Sequence, residues 1–199
     1  ISYASATLTV NKAALTVVAS DATRTYGAAN PTFTTTLTGF VNGETLATSG
    51  VTGSGSATSV AVASSNVGTY AIVPSATGYA SDNYDFIGVA NGRLTVTPAT
   101  LTVTANAATR QYGLANPAFT GTVTGFVNGQ SLATATTGTL LFTSAATAAS
   151  NVGSYAINGS GLTANNGNYV FAQAAGNATA LTVGQKALSI VATDQNVTY

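Results

Sequence analysis

Residues 22–33 read ATRTYGAANPTF, and residues 108–119 read ATRQYGLANPAF. Each copy is followed by Thr-Gly-Phe-Val-Asn-Gly, at residues 38–43 and 124–129. Tyr26 and Tyr112 occupy the same place in the two copies and lie 86 residues apart, and a third tyrosine, Tyr199, follows 87 residues later. Self-similarity at a fixed period is typical of tandem arrays. We therefore interpret the sequence as part of an array of repeated domains.

The period divides the 199 residues into two complete domains with a fragment at each end. We predict the last strand of a preceding repeat in residues 1–12, one repeat domain in 13–97, a second in 98–185, and the first strand of a following repeat in 186–199. Only four residues join the last strand of each repeat to the first strand of the next, a reach of about 13 Å. A short spacer of constant length holds neighbours close, so we expect the domains to be strung end to end into a rod.

Period-two alternation of apolar and hydroxyl side chains marks the strands of each repeat. The clearest runs are Leu15–Ala19, Leu101–Ala105 and Leu188–Ala192, and, before each of them, Leu8–Val10, Leu94–Val96 and Leu181–Val183. A second strand is predicted at Phe33–Leu37 and at Phe119–Val123. The only helix that the pattern allows is one or two turns long, near residues 42–48. The sequence thus predicts small, mostly β domains with about six short, mostly antiparallel strands each.

The composition excludes several classes of partner. Hydrophobic residues make up 45% of the chain, charged residues only 5%, and the formal net charge is zero. A neutral chain lacks the basic patch that binds nucleic acid or anionic lipid, and no apolar run approaches the roughly 20 residues that cross a bilayer. A neutral surface does, however, little to oppose lateral association of chains. We therefore expect no nucleic acid and no membrane insertion in this segment, with neighbouring repeats of the same chain as partners and lateral self-association as a further option.

Catalytic chemistry has few candidate residues. The chain lacks His, Cys, Met and Trp, so acid–base work would fall mainly to tyrosines, lysines and five carboxylates. These acids are Asp21, Glu44, Asp82, Asp85 and Asp194, and no pair of them recurs at matching positions of the two repeats. We predict that the protein is not an enzyme, with no catalytic residue, no cofactor and no metal site.

Two local features nevertheless allow a ligand. Residues 82–85 read Asp-Asn-Tyr-Asp and could contribute to a calcium site, but the second repeat has no acid there and a polar turn explains the cluster as well. Arg24 and Arg110 recur and could clamp an anion or act structurally by packing on a tyrosine or bonding loop carbonyls, the interpretation that we favour.

The tyrosines divide between core and surface interpretations. Four of them alternate with small residues and are expected in or near the core, namely Tyr70, Tyr84, Tyr155 and Tyr169. The alternative is that they form an exposed platform that binds sugar. Tyr26 and Tyr112 are expected to be buried anchors of a turn whose glycine relieves backbone strain and whose Asn-Pro starts the next strand. Three Asn-x-Ser/Thr matches, at Asn158, Asn177 and Asn196, are expected by chance in a chain so rich in these residues.

The order of these motifs resembles a known family. Arg-x-Tyr-Gly-x-x-Asn-Pro, then Thr-Gly-Phe-Val-Asn-Gly, Asn-Val-Gly-Thr/Ser-Tyr, Asn-Tyr and a closing Leu-Thr-Val are similar to the MBG repeat of the Tyr-Gly-x type. The resemblance implies a β-rich, β-grasp-like module found in tandem in bacterial surface and secreted proteins, including filamentous-haemagglutinin-like adhesins. Members often carry an acid after the Tyr-Gly, where this chain has Ala28 and Leu114, and Gln130 stands where the first repeat has Glu44. A cation-linked role for those acids is therefore not expected here.

Together these observations favour a non-enzymatic structural repeat, located outside the cell or on the bacterial cell surface. The repeats would form a stalk or fibre segment of an adhesin-like protein. One alternative is a self-associating subunit of an extracellular filament or matrix. Another is a module that binds carbohydrate or a host surface.

Overall fold

The fold comes from a computed structural model, which describes residues 3–199. The chain forms two compact units. Unit 1 comprises the residues up to Ala99 together with the turn Asn166–Asn168, and unit 2 comprises Thr100–Asn165 and Tyr169–Tyr199. The repeat bounds at residues 13–97 and 98–185 stay a prediction, since units defined by spatial proximity need not begin where a repeat begins.

Short strands make up most of the regular structure, which confirms the mostly β prediction. In the first repeat they are β1 (Ala13–Ala19), β2 (Ala22–Thr25), β3 (Thr35–Thr38), β4 (Thr52–Gly53), β5 (Ser56–Thr58), β6 (Gly68–Ser75), β7 (Tyr79–Ala80), β8 (Tyr84–Ala90) and β9 (Gly92–Thr97). In the second they are β10 (Ala99–Ala105), β11 (Ala108–Gln111), β12 (Gly121–Thr124), β13 (Thr136–Thr143), β14 (Gly153–Tyr155), β15 (Asn158–Ala164), β16 (Tyr169–Gln173) and β17 (Leu181–Gly184). Among residues 3–199, the helical structure consists of α1 (Leu132–Ala135) and two 3-10 helices, Asn165–Gly167 and Ala175–Thr179.

Each unit builds its core from two corresponding small sheets. In unit 1 these have the strand orders β3-β1-β8 and β2-β9-β6-β5, with a separate pair β4-β7. In unit 2 the orders are β12-β10-β16 and β11-β17-β14, with a pair β13-β15. The two repeats therefore share their central strands, β1 with β10 and β9 with β17.

Strand direction departs in part from the sequence prediction. Antiparallel pairs predominate, but β1 is parallel to β8, β2 to β9, and β11 to β17. Alternation reports which face of a strand is buried, and it carries no information on the direction of the neighbouring strand. The parallel pairs were therefore not predictable from the pattern.

The predicted apolar faces form the core. Leu15, Val17 and Ala19 of β1 are at most 4% exposed, and the same face of β10 buries Leu101 and Val103. The closing strands contribute Leu94, Val96, Leu181 and Val183, all at most 1% exposed. Phe33 and Phe119 precede rather than begin the next strands, which start two residues later, at Thr35 and Gly121.

The end fragments have no strand in residues 3–12 or 185–199 of the described part of the chain. In the complete repeats, the corresponding strands pair with strands of their own repeat: β9 with β2 and β6, and β1 with β3 and β8. For the end fragments, the partner strands would come from neighbouring repeats. Both end strands therefore stay predictions, and residues 1–2 of the first fragment lie outside the described residues.

The repeats differ most where their sequences differ most. In place of the two short strands β4 and β5, the second repeat has α1 followed by the eight-residue strand β13, which pairs with β15. A second difference lies before the last strand, where the second repeat contains the 3-10 helix Ala175–Thr179. Phe86 and Phe171 lie 85 residues apart, whereas Leu94 and Leu181 lie 87 apart, a shift that predicts a loop insertion between these positions. The structure instead uses the extra residues for a helix.

Candidate functional site

The recurring arginine of the first repeat is enclosed by hydrogen bonds. Arg24 lies on β2 and is 7% exposed. Its Nε donates to Oδ1 of Asn30 at 2.7 Å, Nη1 to the carbonyl of Thr25 at 3.3 Å, and Nη2 to the carbonyl of Val62 at 2.5 Å. We call this arrangement of a buried arginine and its acceptors the arginine cage. Its acceptors are neutral dipoles, which satisfy the donors of the guanidinium as it leaves water.

Asn30 joins the cage to a distant loop of the same repeat. Its Nδ2 donates to the carbonyl of Ala61 at 2.7 Å while its Oδ1 receives the arginine. The backbone N–H of Gly27 donates to the carbonyl of Ala63 at 3.1 Å. The Arg-x-Tyr-Gly-x-x-Asn segment thus grips the backbone of residues 61–63 at three places, which explains why Arg and Asn occur at this spacing.

The second repeat builds the same cage. Arg110 is 7% exposed, and its guanidinium donates to Oδ1 of Asn116 at 2.7 Å, to the carbonyl of Gln111 at 3.3 Å, and to the carbonyl of Thr147. The loop contacts also recur, from Asn116 to Ala146 at 2.6 Å and from Gly113 to Ala148 at 3.1 Å. All three nitrogens of the guanidinium are hydrogen-bonded and the side chain is buried. The arginine therefore acts structurally in both units, which is the interpretation that we favoured over an anion clamp.

The glycine of each cage has the backbone conformation that the sequence predicts. Gly27 has φ 85° and Gly113 has φ 82°. This left-handed region is costly for residues with a Cβ. The Tyr-Gly pair is therefore a turn whose glycine allows the segment to fold back toward the loop.

The two tyrosines before these glycines have different environments. Tyr26 is 5% exposed, as predicted, whereas Tyr112 is 43% exposed, so the prediction of a buried anchor is wrong for Tyr112. The cage forms in both units, and it therefore does not depend on burial of the tyrosine. Burial of this ring depends on what packs over the turn from elsewhere in the fold, which the local motif does not encode.

A second constellation links the Asn-Tyr tyrosine to the Gly-Phe-Val-Asn-Gly turn. In unit 1, Tyr84 is 2% exposed, donates from its hydroxyl to Oε2 of Glu44 at 2.5 Å, and accepts from the N–H of Val41 at 3.2 Å. Its ring meets Phe40 edge to face, with centroids 5.6 Å apart. The hydrogen bond to Glu44 and, secondarily, burial raise the pKa of Tyr84 above its ordinary value of 10.0, against a lowering by the Val41 N–H.

The second repeat keeps this constellation without the acid. Tyr169 is 4% exposed, donates to Oε1 of Gln130 at 2.7 Å and accepts from the N–H of Val127 at 3.1 Å. Phe126 meets its ring at 6.1 Å, again edge to face. Because an amide serves here as well as a carboxylate, the position requires a hydrogen-bond acceptor rather than a charge.

The remaining tyrosines of the predicted set are half-buried. Tyr70 and Tyr155 each donate a hydrogen bond of 2.8 Å to the carbonyl four residues earlier, of Asn66 and Asn151. Their hydroxyl groups therefore brace the turn that leads into β6 or β14. Of the four tyrosines, two are core residues and two are half-core residues, in agreement with the interpretation that we preferred to an exposed sugar platform.

A lysine from outside the acidic turn, residues 82–85 of the first repeat, lies against that turn. Lys12 Nζ donates to the carbonyl of Ser81 at 2.9 Å and lies 3.9 Å from Asp85 Oδ1. Lys12, Glu44 and Asp82 line a cavity of about 400 Å³ in this region. An ammonium group among the acids disfavours a bound cation electrostatically. Among residues 3–199, no group of three or more His, Cys, Asp or Glu side chains is arranged to hold a metal ion.

Sequence reasoning missed a buried asparagine in unit 2 and the exposed glutamine that bonds to it. Asn177 is 2% exposed, its Oδ1 accepts from the N–H of Ala105 at 2.8 Å, and its Nδ2 donates to the carbonyl of Val103 at 2.9 Å and to Gln173 Oε1 at 2.8 Å. Gln173 in turn brackets the backbone of Gly159 with two hydrogen bonds. The one signal in the sequence is the longer spacing before the last strand. Burial makes Asn177 inaccessible to glycosylation in the folded protein, whereas Asn158 and Asn196 are exposed.

Comparison with known families places these features. The model of the MBG domain (YGX type) matches residues 15–95 and 101–179. The chain belongs to this family. Each match contains one arginine cage and one tyrosine constellation, so the predicted resemblance is confirmed, and the protein carries two MBG repeats in tandem. No curated protein and no solved structure matches the chain. No helix in the described part of the protein is both long and apolar enough to cross a membrane.

Proposed function

We propose that the two MBG repeats are a non-enzymatic stalk or fibre segment of an extracellular, adhesin-like protein on the bacterial cell surface. The observation that carries the proposal is the use of the recurring polar residues. The arginine, asparagine and glycine of the motif bond to their own repeat, and the Asn-Tyr tyrosine bonds to the acceptor at Glu44 or Gln130. The recurring residues thus serve to fold their own repeat. A spacer that is repeated to gain length needs residues of this kind.

The mechanical argument rests on the junction between repeats. The sequence pattern predicts four residues between the last strand of one repeat and the first of the next, but in the structure only Pro98 separates β9 from β10. So short a spacer limits how far a repeat can move from its neighbour. A stalk built in this way would hold a terminal domain away from the cell, and each repeat would add a few nanometres. The low charge of the chain, with 5% charged residues and a formal net charge of zero, gives no support to binding of nucleic acid.

The end-to-end distance of the array against its repeat number tests this proposal. Arrays of two, four and eight repeats, imaged by atomic force microscopy, should lengthen in proportion to repeat number. A flexible string would lengthen roughly as the square root instead, and that result would exclude a stiff stalk. The matched control lengthens the spacer at residues 97–100 with Gly and Ser, which should make the proportional growth disappear.

A second candidate is lateral self-association into a filament or matrix, and one observation favours it. Strand β8 lies at the edge of its sheet, and its outward side chains Ile87 and Val89 are 77% and 61% exposed. Exposed apolar edge strands favour pairing with other chains. Concentration-dependent fibres that disappear in Ile87→Lys would favour this candidate, whereas a stalk alone would tolerate the substitution.

A carbohydrate- or host-surface-binding module is the remaining alternative. It would use Tyr112, whose ring is 43% exposed. The matching Tyr26 is buried, so this would be a property of individual repeats rather than of the motif. Glycan-array binding by the chain that is lost in Tyr112→Ala would support it.

A further inference from the structure

In unit 1, an asparagine side chain bonds to the Asn-Val-Gly segment through one backbone N–H and one side-chain oxygen. Asn168 belongs to unit 1 and is 3% exposed. Its Oδ1 accepts from the N–H of Val67 at 2.9 Å, and its Nδ2 donates to Oδ1 of Asn66 at 2.8 Å. Its own carbonyl accepts from the N–H of Ala99 at 3.0 Å. Both ends of the amide are therefore satisfied by one short segment, which acts as a receptor for an asparagine.

Unit 2 contains the same receptor segment. Asn151-Val152-Gly153 repeats Asn66-Val67-Gly68, and Gly153 has φ 155° where Gly68 has φ 150°. The hydroxyl of Tyr155 braces the carbonyl of Asn151, as the hydroxyl of Tyr70 braces that of Asn66. The identical sequence, the similar φ of the glycine and the matching tyrosine hydrogen bond indicate that residues 151–153 carry the same donor and acceptor groups as their counterparts.

The surroundings of this second receptor segment are open. Val152 is 52% exposed, whereas the matching Val67 is half-buried. Tyr112 and Val152 line a cavity of about 410 Å³ together with Gln185, Lys186 and Leu188. An accessible valine and tyrosine beside an asparagine receptor combine apolar area with directional hydrogen bonds, the composition of a specific protein interface.

The matching asparagine of the first repeat is Asn83. Its carbonyl accepts from the N–H of Ala13 at 2.9 Å, as that of Asn168 accepts from Ala99, so the first residue of β1 or β10 positions both asparagines in the same way. The Asn83 side chain is exposed. One chain therefore carries an exposed asparagine in its first repeat and an exposed receptor in its second.

We propose that residues 151–153, with Tyr112, form a docking site for a second copy of the repeat, which inserts the asparagine of its Asn-Tyr turn as Asn168 is inserted in unit 1. The interface joins two different surfaces, so it propagates in one direction from copy to copy. The proposal deepens the stalk function and rests on it, since a tandem array delivers the next Asn-Tyr turn to each receptor at high effective concentration.

Because the chain has no cysteine, single cysteines report this contact cleanly. Chains carrying Asp82→Cys, next to the intact Asn83, are mixed with chains carrying Val152→Cys at about millimolar concentration, the effective concentration of a short linker. We expect heterodimer disulfides to form at least tenfold faster than with Val60→Cys, a 90% exposed control in unit 1. Adding Asn83→Ala to the Asp82→Cys chain should reduce the rate to that of the control.

Three results would overturn the proposal: equal rates for Val152→Cys and Val60→Cys, no effect of Asn83→Ala, or faster cross-linking of Ile87→Cys chains with one another than of the designed pair. Melting curves ensure that each variant is folded. A failure here with proportional growth of the end-to-end distance would leave the stalk intact and assign its junctions to other contacts. A failure of proportional growth with rapid cross-linking would leave the docking site and remove the stiff stalk.

Discussion

In unit 1 a single residue separates the last two strands, β8 and β9, whereas in unit 2 seven residues separate β16 from β17 and five of them form a 3-10 helix. Gly92 opens β9, and a Cβ there would come within 2.7 Å of the carbonyl oxygens of Ser20 and Ala19. The matching position in unit 2 is Thr179. A threonine cannot make so close an approach, and the chain takes a longer route.

The longer route leaves backbone groups of β10 without a full-length neighbouring strand. In unit 1, Val17 and Val18 pair with Val89 and Ala90 of β8. In unit 2, the side chain of Asn177 bonds the N–H of Ala105 and the carbonyl of Val103 in its place. A carboxamide carries the same donor and acceptor as a peptide group. The comparison shows that the backbone N–H and C=O groups at the edge of a central strand need hydrogen-bond partners. A side chain can supply them where the neighbouring strand ends.

The largest effect is expected at the feature that the two units share. Arg110→Ala removes three charge-assisted hydrogen bonds and takes the donor from Oδ1 of Asn116, whereas the carbonyls of Thr147 and Gln111 keep the N–H groups of Ser150 and Leu114. We expect the free energy of unfolding of unit 2 to fall by about 3–5 kcal/mol. Hydrogen exchange with mass spectrometry, resolved by peptide, measures each unit separately, and Arg24→Ala should reproduce the effect in unit 1.

Two controls sharpen this test. Arg93→Ala removes an arginine whose side chain is 67% exposed, and it should change stability by less than about 0.5 kcal/mol. Arg110→Lys keeps the charge but lacks the planar fork, and it should not rescue the cage. Full stability of Arg110→Ala would mean that the cage does not hold the unit together.

The next largest effect on stability is expected at the tyrosines before the glycines, and it should differ between the two units. Tyr26→Ala deletes a buried ring, and we expect a loss of about 3 kcal/mol in unit 1. Tyr112→Ala deletes a ring that is 43% exposed, and the loss in unit 2 should be about 1 kcal/mol. Chemical denaturation followed by hydrogen exchange provides both values. Equal losses would show that Tyr112 is as well packed as Tyr26.

Asn177→Ala tests the side chain that replaces the strand edge. It removes the acceptor of the Ala105 N–H, while the carbonyl of Val103 keeps the N–H of Ala174, so we expect unit 2 to lose about 1–2 kcal/mol. Unit 1 has no equivalent residue and should be unchanged. The control is Asn158→Ala, at an exposed position of β15. Rapid exchange of the Ala105 amide in the variant would confirm that this edge has opened.

The smallest effect concerns Tyr84 and appears only in alkali. The pKa of Tyr84 is raised in the folded protein, so above pH 10 the unfolded chain loses this proton first. The unfolded state then binds fewer protons, and the stability of unit 1 falls as pH rises. That contribution is fully present below pH 10 and is lost as pH passes through the raised pKa.

Glu44→Gln reproduces the second repeat at this position and removes the main cause of the shift. We expect the pKa of Tyr84 to move back toward 10 and the alkaline loss of stability to become shallower, with little change at neutral pH. Tyrosinate absorbance and unfolding curves at several alkaline pH values measure this. An unchanged alkaline profile in Glu44→Gln would show that the carboxylate does not control Tyr84.

Much of the fold was predictable because it depends on local patterns. Alternation located β1, β9, β10 and β17 and their buried faces, and the tyrosine-glycine pair located a turn with positive φ. The structural role of the arginine was favoured, but its partners were not named. Asn30 stood in the motif, whereas the carbonyls of Val62 and Thr147 lie in or beside the least similar regions of the repeats.

The exposed state of Tyr112 and the parallel pairing of β11 with β17 were likewise beyond the pattern. Both depend on segments brought together from distant parts of the chain. The buried role of Asn177 was missed for the same reason, since an asparagine beside small residues is indistinguishable from a surface turn until its neighbours in space are known.

By itself, the sequence determined that this protein is a tandem of β-rich MBG repeats, because periodicity, alternation and the glycine of the turn are properties of short segments. Only the tertiary structure decided which carbonyls hold each arginine, which strands run parallel and which side chain closes the edge of β10. The physical reason is that every residue offers the same backbone oxygen, so the identity of the acceptor is determined by proximity in the fold and leaves no trace in the residue type.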